Sequence, residues 1–176
     1  MKRKQLESYL SQLQLFSSPK RSLEQYHTPY SIAAEFIHIV DYHNTLEGLH
    51  VLDIGAGTGM LSIGCLLQGA DRITSIEICP EAVETFKTNI DQLEIHEDCI
   101  EIIQDDAIKF ITTQENTEIK TINNVDIVIM NPPFGCSLNE NIDKDFLKVA
   151  WKLSQGPVFI IPVSYTHLTL PTTPYV

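Results

Sequence analysis

Residues 51–59, VLDIGAGTG, decide the fold. An apolar run that ends in closely spaced glycines predicts a buried β-strand, a tight turn and the start of a helix. In an open α/β sheet, ligands bind beyond the carboxyl ends of the strands, and glycines there let the backbone approach a ligand closely. A dinucleotide fingerprint would need glycine at position 60, where Met60 stands, and a phosphate-binding loop would need Gly-Lys-Ser/Thr. The stretch therefore indicates a nucleotide-like cofactor that is bound without either signature.

Short apolar runs alternate with helical patterns after this stretch. We predict strands at residues 50–54, 73–78, 100–104, 125–130 and 158–161, and helices at residues 60–67, 80–93, 107–112 and 144–153. Upstream, Leu6, Leu10 and Leu13 recur at helical spacing and Phe16 continues the pattern, so a helix is expected to end just before the following Ser-Ser-Pro. A second helix is expected at residues 30–42. The alternation predicts an α/β fold with a mainly parallel sheet and helices on both faces.

Composition limits the class of protein. The 176 residues fit one domain, and 43% hydrophobic with 20% charged residues predicts a folded core. The formal net charge of −11 disfavours nucleic acid, but residues 1–21 carry five Lys or Arg against one Glu, which leaves −15 on the remainder. This basic N-terminal arm is either a solvated tail or a contact for phosphates. The four cysteines form no CxxC pair, so neither a metal site nor a disulfide is expected.

The chain has no sequence pattern typical of a membrane or secreted protein. No apolar run approaches the roughly 20 residues that a bilayer span requires. The first ten residues are polar at helical spacing and lack the apolar region of a signal peptide. We therefore expect a protein that works inside the cell, without a membrane partner.

Acidic residues follow the second and third predicted strands. Glu77 ends the second strand, 22 residues after Gly55, and a carboxylate there can accept both hydroxyl hydrogens of a ribose. After the third strand, Asp105 and Asp106 each offer an acceptor to the amino group of a cofactor base, and the residues alone leave that choice open. These positions predict that a nucleoside lies across the carboxyl edge of the sheet.

The fourth predicted strand leads directly into Asn131-Pro132-Pro133-Phe134. An exocyclic amine such as that of adenine is a poor nucleophile, so its alkylation requires the nitrogen to be held in line and its hydrogens drawn toward acceptors. The side-chain oxygen of Asn131 and the backbone carbonyl of Pro132 can be those acceptors. Consecutive prolines fix φ, and Phe134 offers a face on which a base can stack. Taken alone the motif could be a stiff turn, but its position at the end of a strand favours a site that holds and orients a planar amine for alkylation.

These motifs resemble those of the class I S-adenosylmethionine-dependent methyltransferases. The pattern Asp53-x-Gly55-x-Gly57-x-Gly59 resembles motif I, and Asn-Pro-Pro-Phe is similar to motif IV of the amino-methyltransferases. In motif I the loop lies under the methionine part of the cofactor, and the acidic residue orients it. The family register favours Asp106 for the cofactor base, and the resemblance also makes Asn131 a cofactor neighbour.

A third element carries the resemblance to a narrower family. Gln25, Tyr26 and Thr28 precede motif I where a cofactor-capping element is expected, and they would close over the methionine end or the target base. Together with the N-terminal helix and the sequence Asp-Phe-Leu at 145–147, they make residues 4–160 resemble the methyltransferase-like protein 5 family of ribosomal RNA adenine-N6 methyltransferases. Two cysteines of that motif I are replaced here by Ala56 and Thr58.

The resemblance implies a fold, an activity and partners. The fold would be the Rossmann-like class I methyltransferase fold. The activity would be methyl transfer from S-adenosyl-L-methionine to N6 of an adenosine in small-subunit (18S-type) ribosomal RNA, in the nucleus and cytoplasm. A small zinc-containing activator subunit would form a heterodimer with the chain.

The chain divides into three expected segments: an N-terminal helical and capping segment at 1–45, a cofactor-binding catalytic domain at 46–161, and a tail at 162–176. The tail has no Asp, Glu, Lys or Arg, and contains four Thr and three Pro. It resembles translated adaptor sequence at the end of an incomplete gene, and the last strands of the fold are expected to be missing.

Methyltransferases that act on other substrates share these motifs. Release-factor glutamine N5-methyltransferases and DNA adenine-N6 methyltransferases also carry motif IV, with Tyr typical at the fourth place in the former. A protein that binds the cofactor or a partner without turnover is a further alternative, although Asn131 and Phe134 argue for catalysis.

Overall fold

A five-stranded parallel sheet forms the centre of the molecule. The computed structural model describes residues 1–109, 122, 124–133 and 142–161. The strands are β1 (His50–Ile54), β2 (Arg72–Glu77), β3 (Ile100–Gln104), β4 (Ile127–Met130) and β5 (Val158–Ile160). Their order is β3-β2-β1-β4-β5, with every neighbouring pair parallel. The order reverses between β1 and β4, which is the point at which such sheets bind ligands.

Helices connect the strands. They are α1 (Arg3–Leu10), α2 (Tyr30–Asn44), α3 (Met60–Gln68), α4 (Pro80–Gln92) and α5 (Ile142–Leu153), with 3₁₀ turns at Arg21–Leu23 and Glu97–Cys99. The predicted strands and helices are confirmed to within about two residues, apart from α1 and the helix predicted at 107–112, which is described only at 107–109. None of the described helices is long and apolar enough to cross a bilayer.

The prediction that the first helix continues to Phe16 is wrong. The helix ends at Leu10, and a backbone bond from Ser11 to the carbonyl of Glu7 closes its last turn. Leu13 is buried although it lies beyond the end of the helix. The apolar spacing therefore indicated which residues are buried, and not how far the helical backbone extends. The chain leaves the helix because the backbone of Gln14 pairs with the side chain of Asn89 on α4.

The core lies on both faces of the sheet. On one face, Val51 and Ile127 pack with the apolar sides of α1 to α4, including Leu6 and Phe86. On the other, alternate strand residues such as Leu52 pack against α5 and its neighbours. Because residues of one strand point alternately to the two faces, this pattern is that of a sheet covered on both sides.

The N-terminal helices belong to the main core. Leu6 and Leu10 of α1 and Ile37 of α2 are buried and pack with strand and α3 residues in one cluster. The three-segment division of the chain stays a prediction, and the predicted tail at 162–176 lies outside the described residues.

Candidate active site

The sheet register brings the predicted site residues to one edge. Ile54 of β1 pairs with Ile76 of β2 and with Met130 of β4. The residues that follow are therefore level across the sheet, which places Gly55 between Glu77 and Asn131. Glu77 in turn pairs with Gln104 of β3, so Gln104 extends the same row and Asp105 follows it.

The glycine loop connects β1 to α3 through left-handed backbone. Gly55, Gly57 and Gly59 have φ of 77°, 57° and 86°, which side chains rarely adopt. A Cβ at Gly57 would lie 2.9 Å from Cζ of Phe16, and one at Gly59 would lie 2.1 Å from the ring of Phe86. Neighbouring rings therefore occupy the space in which these side chains would stand.

Asp53 is the buried acid of the loop. Its Oδ2 accepts a hydrogen bond of 2.5 Å from the hydroxyl of Ser62, which also contacts the hydroxyl of Ser75 at 2.9 Å. Its Oδ1 is buried without a hydrogen-bond partner among the described residues. Burial raises the pKa of Asp53 to about 7; the Ser62 hydrogen bond opposes this rise and the charge of Glu77 adds to it. Among the described residues, only Oδ1 of this carboxyl group is therefore left for a further hydrogen-bond donor.

Glu77 holds the glycine loop from the neighbouring strand. Its Oε2 accepts from the backbone N–H of Gly57, and its Oε1 from that of Cys79, both at 2.8 Å. Burial raises its pKa, and these backbone N–H groups partly offset the rise. Since an ionised carboxylate has about four acceptor positions, lone pairs remain for a ligand. A structural role for Glu77 was not anticipated from the sequence, and its contact with ribose stays a prediction.

Asp105 and Asp106 follow β3 and have different roles. Oδ1 of Asp106 accepts from the backbone N–H groups of Ile108 at 3.0 Å and Lys109 at 3.4 Å, and so caps the helical turn that begins at residue 107. Oδ1 of Asp105 accepts from the backbone N–H of Asp106 at 2.7 Å. Both aspartates line the cavity described below, and the role predicted for Asp106 at the cofactor base stays a prediction.

The Asn-Pro-Pro motif follows β4. Nδ2 of Asn131 donates a 2.9 Å hydrogen bond to Oγ1 of Thr28. Pro132 is buried and Pro133 is half-buried, and their rings fix φ in the backbone that follows the strand. Phe134, predicted to stack on the target base, lies outside the described residues.

The capping segment is tied to its surroundings by side chains. Oε1 of Gln25 accepts from the backbone N–H of Lys20 at 2.8 Å, which closes a local turn, whereas its Nε2 is buried with no partner among the described residues. Lys20 forms a 2.8 Å ion pair with Glu81 of α4. Tyr26 is 66% exposed and therefore stands at the rim rather than inside the site.

Three residues near the site were not predicted from the sequence. Asn89, fully buried on α4, donates to the carbonyls of Gln14 at 3.0 Å and Thr58 at 2.9 Å and accepts from the N–H of Gln14 at 2.7 Å. Phe16 contacts Gly57 and lies 5.3 Å from the ring of His27. Phe146 of α5 faces Gly55, and its apolar helical spacing with Val149 and Leu153 was the available signal.

One cavity of about 340 Å³ joins these elements. It is lined by the glycine loop, Glu77, Asp106, Asn131 and Pro133, and by the capping residues Gln25, Tyr26 and Thr28. Its described lining includes five acidic residues and no Lys or Arg. The acidic residues are Glu24, Asp53, Glu77, Asp105 and Asp106. A cavity of this charge suits a cationic ligand and opposes a pyrophosphate, in agreement with the missing dinucleotide and phosphate signatures.

Comparison with known proteins identifies the family. A family model described as Conserved hypothetical protein 95 matches residues 33–164. The rRNA N(6)-adenosine-methyltransferase Mettl5 of Drosophila melanogaster is 37% identical over 168 residues, which cover 95% of this chain and 75% of that protein. METTL5 of Danio rerio, with the same activity in its name, is 34% identical over 95% of this chain and 77% of its own length.

A solved structure agrees with these relatives. The crystal structure of a proposed RNA methyltransferase from Pyrococcus horikoshii matches with a TM-score of 0.75 and 34% identity, over 93% of this chain and 75% of that one. The expected class I methyltransferase fold and the expected family are thus confirmed. The chain belongs to the Conserved hypothetical protein 95 family and to the methyltransferases related to METTL5.

Proposed function

We propose that this protein transfers the methyl group of S-adenosyl-L-methionine to N6 of an adenosine in small-subunit (18S-type) ribosomal RNA. The observation that carries the proposal is the shared cavity of Asn131, at the end of β4, and the glycine loop, at the end of β1. Relatives that cover nearly the whole chain are named for this reaction on rRNA. These names support the substrate class, and the residues that line the cavity support the chemistry.

The lining of the cavity fits the proposed cofactor. S-adenosylmethionine carries a sulfonium, an ammonium and a carboxylate, hence a net charge of +1. The unpartnered Oδ1 of Asp53 is suited to the ammonium, and the unpartnered Nε2 of Gln25 is suited to the carboxylate. A cationic ligand would also favour the ionised forms of Asp53 and Glu77, whose pKa values burial raises. The observed orphan atoms and excess acidity therefore both support this cofactor.

The predicted cofactor residues take separate roles in this proposal. The backbone of Gly55, Gly57 and Gly59 approaches the methionine part, because no Cβ intervenes. Glu77 accepts the ribose hydroxyls with the lone pairs that its two backbone bonds leave. Asp106 accepts from the cofactor base at the end of β3.

Methyl transfer requires acceptors for the target amine. The bound cofactor supplies an electrophilic methyl group on a sulfonium. Asn131, through its side-chain oxygen, and Pro132, through its carbonyl, would hold the two amine hydrogens, which increases electron density on the nitrogen and aims its lone pair. The alkylated amine loses its extra proton readily to water, so these residues orient the nitrogen without acting as a base of altered pKa.

The RNA must present an unstacked base to this site. Unstacking costs a few kcal/mol, and stacking against aromatic side chains offsets part of that cost. Phe134 is proposed for this role by its place in the motif, and Tyr26, at the rim, is a second aromatic surface. The basic residues of the N-terminal arm, including Lys2, Lys4 and Arg21, would contact phosphates.

We further propose that the chain works as a heterodimer with a small zinc-containing activator subunit, in the nucleus and cytoplasm. The support for this partner is the family resemblance alone. Co-purification of the full chain with such a subunit, followed by zinc analysis of the complex, tests it; a complex that lacks zinc, or no complex, contradicts it.

The experiment for the main proposal compares substrates. The full chain and labelled cofactor are incubated in parallel reactions with small-subunit rRNA, with duplex DNA and with release-factor peptides. The products of each reaction are identified by mass spectrometry. N6-methyladenosine in rRNA alone supports the proposal. Label only in peptide glutamine or DNA adenine would assign one of the alternatives, and binding of S-adenosylhomocysteine without transfer to any substrate would indicate a binding module.

A further inference from the structure

Thr28 and Asn131 contact each other although 103 residues separate them in sequence. Oγ1 of Thr28 accepts a hydrogen bond from Nδ2 of Asn131 at 2.9 Å, within the ordinary range for such bonds. Both residues are half-buried and line the same cavity. The contact therefore joins the capping segment to the motif that follows β4.

Both partners are fixed by rigid elements. Asn131 directly follows β4, whose residues are buried, and the N–H of Ile161 donates to the carbonyl of Met130 at 3.1 Å. Thr28 directly precedes Pro29, the residue at the start of α2, and that helix is anchored by buried Ala33 and Ile37. The two side chains thus meet because sheet and helix hold them there, which limits the entropy cost of the bond.

A carboxamide has two ends of similar shape and opposite hydrogen-bonding character. Its NH₂ end only donates and its oxygen only accepts. If the side chain of Asn131 were rotated by half a turn, the NH₂ end would face the cavity and would oppose an incoming amine donor. In the observed rotamer, Thr28 takes the NH₂ end, so the oxygen is the end left for a donor in the cavity.

We propose that Thr28 is a positioning residue that holds the carboxamide of Asn131 by its nitrogen, so that the amide oxygen accepts from the target amine. This inference rests on the proposed function, because it names what orients the acceptor for that amine. It differs from the sequence expectation that Thr28 closes over the cofactor or target directly.

Two substitutions of the same position separate the hydroxyl from the shape of the side chain. Thr28→Val keeps the branched Cβ and the volume and removes the hydroxyl, whereas Thr28→Ser keeps the hydroxyl and removes the methyl group. Thr28→Val should lower kcat about tenfold and leave KM for RNA and the Kd for S-adenosylhomocysteine within about threefold, because a misoriented acceptor affects the transition state. Thr28→Ser should recover most of the wild-type kcat.

A second measurement reads the bond without catalysis. The side-chain NH₂ signals of Asn131 in the NMR spectrum of the full chain are assigned by their loss in Asn131→Asp. They should show a hydrogen-bonded proton in wild type and in Thr28→Ser, and signals of an unbonded amide in Thr28→Val. Thermal unfolding of each variant verifies that the chain is folded.

The outcomes separate the inference from the proposed function. Equal kcat for Thr28→Val and wild type, or a Kd for S-adenosylhomocysteine raised as much as kcat falls, overturns the inference, the latter in favour of direct cofactor contact. If Thr28→Ser is as impaired as Thr28→Val, side-chain shape rather than hydrogen bonding is what matters. If wild type methylates no RNA while the NMR signals respond as stated, the proposed function fails and the orientation of Asn131 by Thr28 stands.

Discussion

The substitution Asn89→Ala tests how the N-terminal segment is held against the glycine loop. Asn89 is fully buried, and its carboxamide makes hydrogen bonds to Gln14 and Thr58. Loss of the bond to the buried carbonyl of Thr58 leaves that group without a partner, at a cost of about 1–3 kcal/mol. The groups of Gln14 can regain water, because that residue is exposed, so each of its two bonds contributes about 0.5–1 kcal/mol.

The free energy of unfolding should therefore fall by about 2–5 kcal/mol in Asn89→Ala. Urea denaturation followed by circular dichroism measures this change. Thr88→Ala is the matched control, since Thr88 is the preceding residue of α4 and is exposed, and its hydroxyl donates to the carbonyl of Glu84 in the same helix. This substitution should shift stability by less than about 0.5 kcal/mol.

Binding provides the second assay for Asn89→Ala. Gln14 immediately precedes Leu15 and Phe16, which line the cavity. Loosening this segment should therefore weaken the binding of S-adenosylhomocysteine about tenfold, or ~1.4 kcal/mol, as measured by calorimetry. A stability loss below about 1 kcal/mol would refute the energetic reasoning. Reduced stability with unchanged affinity would refute the coupling between this segment and the site.

Three further predictions concern the site. The unfolding free energy of wild type, relative to that of Asp53→Asn, should decrease by at most ~4 kcal/mol from about pH 4 to pH 7 and then level off. The reason is that the pKa of Asp53 is about 7 in the folded state and 3.8 in the unfolded state, so the unfolded state ionises first as the pH rises. Urea titrations at a series of pH values measure this change. Asn131→Ala should abolish transfer and change S-adenosylhomocysteine affinity only a few fold, by radiolabel assay and calorimetry, because its oxygen serves the target amine. Gly59→Ala should destabilise by more than about 3 kcal/mol by urea denaturation, because its Cβ would meet the Phe86 ring at 2.1 Å, whereas Gly48→Ala, with φ of 77° and open space, should cost only about 1–2 kcal/mol.

Each of these has an outcome that contradicts it. A stability difference between wild type and Asp53→Asn that is independent of pH would mean that folding does not raise the pKa of Asp53. Strong loss of S-adenosylhomocysteine binding in Asn131→Ala would assign that side chain to the cofactor. Equal effects of the two glycine substitutions would show that strain at positive φ, rather than contact with Phe86, determines the cost at Gly59.

The succession of strands and helices along the chain and the position of the glycine loop could be predicted because each depends on local pattern. The bounds of β1 and β3 match those predicted from their apolar runs. The end of α1 could not be predicted, because Leu13 continues the apolar spacing while a contact with Asn89, 75 residues from Gln14, bends the chain away. Local spacing carries no information about such a partner.

The candidate site, too, has features that the sequence predicts and features that depend on the tertiary fold. Positions at strand ends, such as Glu77 and Asn131, follow from sequence because parallel strands bring their carboxyl ends together. What those side chains bind within the protein does not follow: the bonds of Glu77 to backbone N–H groups and of Asn131 to Thr28 depend on the tertiary fold. Roles for these residues at the cofactor and target stay predictions.

The excess of carboxylates around the cavity has a consequence for turnover. Under the proposed function, alkylation removes the sulfonium charge, so the spent nucleoside thioether is electrically neutral where the incoming molecule was cationic. Asp53 and Glu77 then lose part of their electrostatic attraction for the occupant at the moment chemistry ends. The same acidic residues that favour binding of the cationic cofactor would thereby favour release of the neutral thioether product.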